Sequence, residues 1–175
     1  FSEVTWYYPV GTDDTEITNY VTFNYAENLW SVGTLARGAW IEAGTRNYPF
    51  ASSIVTATDA NYLYTHETGY DDDGSAMTAY IESGDIELDE GGRFMFLSRM
   101  IPDFAFSGNT DDASMSVTIK GKGFPVDTAA TLATATVTSS TQQNFLRTRA
   151  RESIIRLESS GLGYGWRLGD LRFDM

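Results

Sequence analysis

Short β-branched and aromatic runs, broken about every 8 to 12 residues by Gly, Asp or Asn, dominate this sequence. Such spacing suits strands joined by tight turns, as in a sandwich, barrel or propeller. No long helical period interrupts it. An all-β fold of antiparallel strands is therefore expected.

Between Ile17 and Tyr25, the apolar residues Ile17, Val21, Phe23 and Tyr25 share one parity. Alternate residues of a strand point to one face, so this strand is expected to be half-buried. Further strands are expected over 4–8, 38–42, 62–66, 77–82, 93–100, 115–120, 133–139, 153–159 and 165–168. Over 141–151, the Thr and Gln content and the alternating arginines make a strand at least as good a reading as a short helix.

At 175 residues and 42% hydrophobic composition, the chain can bury a substantial core in one large or two small domains. The acidic segment Gly69-Tyr-Asp-Asp-Asp-Gly-Ser75 suggests where two would divide. It separates an aromatic-rich region, 1–74, from one richer in Thr, Ser and Met, 75–175. No complete internal repeat is present, so a whole propeller is excluded within these residues, while one blade of a larger propeller is not. Gly33, Gly69, Gly74 and Gly169 read as turn residues needing positive backbone angles, and Trp30, Trp40 and Trp166 as packing anchors.

Composition narrows the chemistry. With no cysteine, disulfides and thiolate sites are excluded, and His66 is the sole imidazole. No window approaches the roughly 18 apolar residues of a membrane helix, and no basic-then-apolar leader opens the chain, so a soluble protein is expected. A first residue of Phe suggests a processed chain or part of a longer one. The net charge of −12 argues against general nucleic-acid binding, which requires a cationic surface. The charge is uneven: residues 1–146 carry 20 acidic and 6 basic side chains, whereas 147–175 carry 4 and 6, all six being arginine.

Catalytic and metal readings find little support in the residues. His66-Glu67 lacks the second histidine of a zincin one helical turn later, where Tyr70 stands, and His66 reads as a hydrogen-bonded structural residue. Setting Gly74 of the Asp71-Asp-Asp-Gly74 run on the calcium-loop glycine puts Gly69 and Tyr80 at ligand positions. A solvated acidic turn is the better reading, an irregular cation site the alternative. Glu67, Glu82, Glu87 and Asp103 lie in or beside expected strands, but their spacing does not favour a glycosidase pair. No phosphate loop, nucleophile elbow or dinucleotide fingerprint is present. The expectation is a protein with no catalytic residue, cofactor or metal.

Two surface features remain. Tyr7, Tyr8, Trp30, Trp40, Tyr62 and Tyr64 could form a sugar-stacking platform, but filling sheet faces and subunit interfaces is the preferred role. In a strand, Arg147-Thr-Arg149-Ala-Arg151 places three guanidiniums on one face, where they need anionic partners. Carboxylates of this chain or of a neighbouring copy would suit them, with DNA phosphate as the competitor.

Four segments stand out together. They are Tyr20-Val-Thr-Phe-Asn-Tyr-Ala-Glu-Asn-Leu-Trp-Ser-Val-Gly33 followed by Arg37-Gly-Ala-Trp40, and Tyr64-Thr-His-Glu-Thr-Gly69 with Ala79-Tyr-Ile-Glu-Ser-Gly84. The others are Phe94-Met-Phe-Leu-Ser-Arg-Met-Ile-Pro-Asp-Phe104, and Arg149-Ala-Arg-Glu-Ser-Ile-Ile-Arg-Leu-Glu-Ser159 with Gly165-Trp-Arg-Leu-Gly-Asp-Leu-Arg172. Together they resemble tail and neck structural proteins of tailed bacteriophages, of the packaged-DNA-stabilising or tail-nozzle type, the Pro-Asp-Phe and Gly-Trp-Arg-Leu-Gly pieces being the most distinctive. Similar proteins continue past the last of these with a short basic stretch that this sequence lacks.

The resemblance implies a propeller-blade-like N-terminal part, a β-sandwich-like C-terminal part and no enzymatic activity. It also implies a virion location in the tail or neck, as a homo-oligomeric ring among other tail and neck proteins. No membrane partner and no specific nucleic-acid binding are expected, only sliding contact with DNA. Arg147, Arg149, Arg151 and Arg156, with Trp30 and Trp40, are the expected interface residues. A carbohydrate-binding or host-attachment module is the alternative.

Overall fold

The computed structural model describes residues 2–11, 16–44, 46–54 and 61–175. It is all-β, with no helix among the described residues. The chain divides into two compact units, Phe1–Thr68 and Gly69–Met175.

The first unit holds two antiparallel three-stranded meanders. One is β1 (Glu3–Tyr8), β2 (Asn19–Asn24) and β3 (Leu29–Thr34); the other is β4 (Arg37–Ile41), β5 (Phe50–Ser53) and β6 (Leu63–Thr65). Local chemistry sets the β2–β3 turn. The Asn24 side-chain oxygen accepts from the backbone N–H groups of Ala26 and Glu27, both at 3.1 Å, and Asn28 takes the left-handed conformation with φ 56°.

The parity of Val21 and Phe23 is as expected, but Ile17 and Tyr25 lie outside β2. The buried member of that strand is Thr22, on the opposite face, where its hydroxyl meets that of Thr5 at 2.8 Å. That same face carries Tyr7, whose ring lies 6.2 Å from Trp40 of the second meander. Among the unit's described residues only Thr22, Pro49 and Ala51 are buried, a small core for so many aromatics.

The second unit contains β7 (Ala79–Glu82), β8 (Ile86–Glu87), β9 (Met95–Ile101), β10 (Phe104–Gly108), β11 (Ser114–Lys122), β12 (Ala130–Thr138), β13 (Asn144–Ala150), β14 (Glu152–Ser159), β15 (Tyr164–Leu168) and β16 (Arg172–Asp174). A five-stranded sheet runs β12-β11-β14-β7, with β8 also on β14; a three-stranded sheet runs β13-β9-β16; β10 and β15 form a pair. Strict alternation along β11 buries Met115, Val117 and Ile119 and leaves Ser116, Thr118 and Lys120 on the other face. Their partners include Met95, Leu97 and Met100 from β9, Val137 from β12, Leu146 from β13 and Leu157 from β14. Two sheets thus share one core, and each fully buried apolar side chain contributes about 1.5–3 kcal/mol.

The segment over 141–151 forms strand β13 rather than a helix. The glycine expectations divide. Gly69 and Gly74 have positive φ, 73° and 79°, whereas Gly33 and Gly169 do not. Gly33 lies under the Tyr20 ring, and a Cβ at Gly169 would collide with the Asp103 carboxylate. Close approach, not backbone angle, requires glycine at those two positions.

Candidate interaction surfaces

Asp103 ties together the two most distinctive sequence pieces. Phe104–Gly108 pairs antiparallel with Tyr164–Leu168, so the Pro-Asp-Phe and Gly-Trp-Arg-Leu-Gly segments lie side by side. The Asp103 carbonyl accepts from Gly169 N–H at 2.8 Å, and its carboxylate accepts from Asp170 N–H at 3.0 Å. Trp166 donates its indole N–H to Ser159 Oγ at 2.9 Å. These segments build part of the second unit's frame, and Asp103 and the Trp166 indole are engaged in doing so.

Arg147 and Arg149 of the alternation fall on β13, and Arg151 follows its last residue, Ala150. Leu146, Thr148 and Ala150 point inward and are buried, while Arg147 and Arg149 are exposed and Arg151 is half-buried. A bulge between Phe145 and Thr148 sets Arg147 at φ 50° and brings Arg149 opposite Phe96 of β9. None of the three arginines pairs with a carboxylate among the described residues.

Their guanidiniums rest instead on phenylalanines. Arg149 Cζ lies 4.5 Å from the Phe94 ring centroid, Arg151 Cζ lies 5.4 Å from Phe94 and 5.1 Å from Phe124, and Arg147 Cζ lies 6.0 Å from Phe145. Arg151 Nε is buried without a hydrogen-bond partner among the described residues. Exposed Phe94, Phe96, Phe124 and Phe145 complete a surface of interleaved cations and aromatic rings. Each such contact is worth about 0.5–1 kcal/mol at an exposed site, and the charges stay available to an external anion.

Arg156 differs. It contacts Glu158 at 2.6 Å and Glu82 at 3.2 Å, and its guanidinium lies 3.9 Å from the Tyr80 ring centroid. Lys120 joins the group at 2.7 Å from Glu82. Hydrogen bonding to Glu158, then to Glu82, raises the Arg156 pKa against some desolvation. The hydrogen bond from Lys120 is the largest influence holding Glu82 below its ordinary 4.5. Arg156 is occupied within its own chain.

The tryptophans also separate. Trp40 donates Nε1–H to Glu42 Oε1 at 2.7 Å and lies 4.7 Å from the His66 ring, while His66 Nε2 accepts from Arg37 Nε at 3.3 Å. Burial, then the Glu42 charge, raises the pKa of neighbouring Tyr7. Trp30 is 62% exposed, so it does not anchor packing within this chain. It stacks on Phe23 at 4.5 Å and on Trp6 at 6.0 Å, on the face of the first meander that also carries Val4, Val21 and Val32.

Among the described residues, no group of three His, Cys, Asp or Glu side chains could hold a metal ion. The Asp71–Gly74 segment closes a turn, with Gly74 N–H donating to Asp71 Oδ1 at 3.2 Å and a bridge from Asp72 to Ser75. Glu82 and Asp103, two of the four carboxylates weighed for glycoside hydrolysis, are held by Lys120 with Arg156 and by the turn at Asp170.

The phenylalanine seats of the arginines were not anticipated from the sequence. Alternation in Phe94-Met-Phe96, with Met95 buried and both phenylalanines exposed, was the available signal. Comparison with known proteins found no matching family and no matching curated relative.

Proposed function

We propose that this chain is a structural protein of a bacteriophage virion, of the tail-nozzle or tail-hub type. It acts in the tail or neck by assembling as a ring that lines or closes the DNA exit channel. In this reading the two meanders are propeller-blade-like and the second unit is sandwich-like. The observation that carries it is the Arg147, Arg149 and Arg151 face, whose cations sit on phenylalanines and meet no carboxylate among the described residues, in a chain of net charge −12. Acidic groups of a neighbouring subunit supply bidentate partners for such a face, and arginine and aromatic residues are the enriched residues of interfaces. An acidic remainder facing a channel repels DNA and lets it slide.

A glycan-binding role draws on the exposed Trp6–Trp30 stack, but Val4, Val21 and Val32 beside it provide no hydrogen bonds to sugar hydroxyls, and Asn19 and Thr34 lie at the far end of that face. Immunogold electron microscopy of the source particles, with an antibody against this chain, tests the proposal. Label at the neck or tail is expected. Particles without label, together with glycan-array binding by the monomer, would replace this reading with the glycan one.

A further inference from the structure

We infer that the Trp6–Trp30 face of the first meander docks onto the outer face of the second meander of another copy of this chain. The inference names a contact for the proposed ring and rests on that reading only for its biological setting.

Cross-strand register places Val4, Trp6 and Tyr8, Val21 and Phe23, and Trp30 and Val32 on one side of the first sheet. Trp6 is 48% exposed and Val32 69%. With aromatic side chains offering about 150–250 Å² each, the open part of this face amounts to roughly 500 Å². That lies near the upper range of the largest apolar patch on a monomer. With a matching area opposite, the contact reaches about 1,000 Å², the lower bound for a specific interface.

The second meander supplies the match. Its inner face carries Trp40, Ala51 and Tyr64, whereas Ile41, Phe50 and Leu63 point to the other side. Leu63 is 70% exposed, and these residues border a depression of about 360 Å³. A flat, projecting indole on one face and an apolar hollow on the other favour a head-to-tail contact over pairing of two identical faces. Arg46 and Glu42 both border the hollow, so its rim carries one charge of each sign. Head-to-tail contacts generate rings when the rotation closes.

Cross-linking decides the matter cleanly because the chain has no cysteine. Val32→Cys and Leu63→Cys, each in the full chain, are treated alone and mixed with a bismaleimide spanning about 10 Å, the distance between stacked sheets. Covalent dimers are expected in the mixture at least tenfold above either variant alone, and Trp30→Ala in the Val32→Cys chain should abolish them. Self-linking of Val32→Cys equal to the mixture would overturn the inference, as would a monomer without cross-links at any concentration. Label at the neck without this cross-link would leave the virion reading standing and remove the contact. The cross-link without label would do the reverse.

Discussion

The Tyr20 ring lies across Gly33, its cross-strand partner, so closely that a Cβ at residue 33 would stand only 2.4 Å from the phenol oxygen. The same ring is 6.1 Å from Tyr7, which in turn reaches Trp40. A glycine in an edge strand is thereby covered, and its covering ring helps join two sheets.

Gly33→Val should displace the Tyr20 ring and destabilise the first unit by about 1–3 kcal/mol, the range for overpacking. In the Tyr20→Ala background the same change should cost less, because the ring is already gone. Urea unfolding followed by tryptophan fluorescence checks both.

The second unit should respond conventionally to loss of core volume. Ile119 is fully buried, and Ile119→Ala should cost about 2–5 kcal/mol in urea unfolding. Leu63→Ala, on an exposed face, should stay within about 0.5 kcal/mol of the unaltered monomer.

The arginines should separate by function. Arg156→Gln removes contacts to Glu82 and Glu158 and should lower the unfolding midpoint measurably. Arg149→Gln, which breaks no ion pair among the described residues, should cost no more than about 0.5–1 kcal/mol, the worth of its contact with the Phe94 ring.

Glu82 gives the fold an acid dependence. Its folded pKa lies below the ordinary 4.5, so its contribution is fully present above that value and is lost as pH falls through the folded pKa. Thermal unfolding midpoints should therefore decline below about pH 4.5, and Glu82→Gln should flatten that part of the profile. An unchanged slope in the variant would show that other carboxylates dominate.

Much of the strand framework was legible because a period of two is written into segments such as Met115–Lys120, where every second side chain is buried. Which face becomes buried was less so. Val21 and Phe23 carry the apolar signal on β2, yet Thr22 is the buried residue, because burial depends on the sheet that lies opposite. Short strands such as Phe50–Ser53 and Arg172–Asp174 owe their existence to pairing with distant or neighbouring strands more than to their own pattern. The arginine face was visible as an alternation, but its aromatic seats come from Phe94 and Phe124, far away in sequence. Arg156 belongs to the same basic stretch and differs because Glu158 lies two residues along its own strand and strand pairing sets Glu82 beside it.

Sedimentation velocity of the purified chain beside an Arg147→Gln, Arg149→Gln, Arg151→Gln variant tests most directly whether this protein works by assembly. The unaltered chain should form a species at an integral multiple of its 19.4 kDa mass, and the folded variant should need a markedly higher concentration to assemble. A chain that is monomeric at all concentrations, or a variant that assembles just as well, would contradict the account.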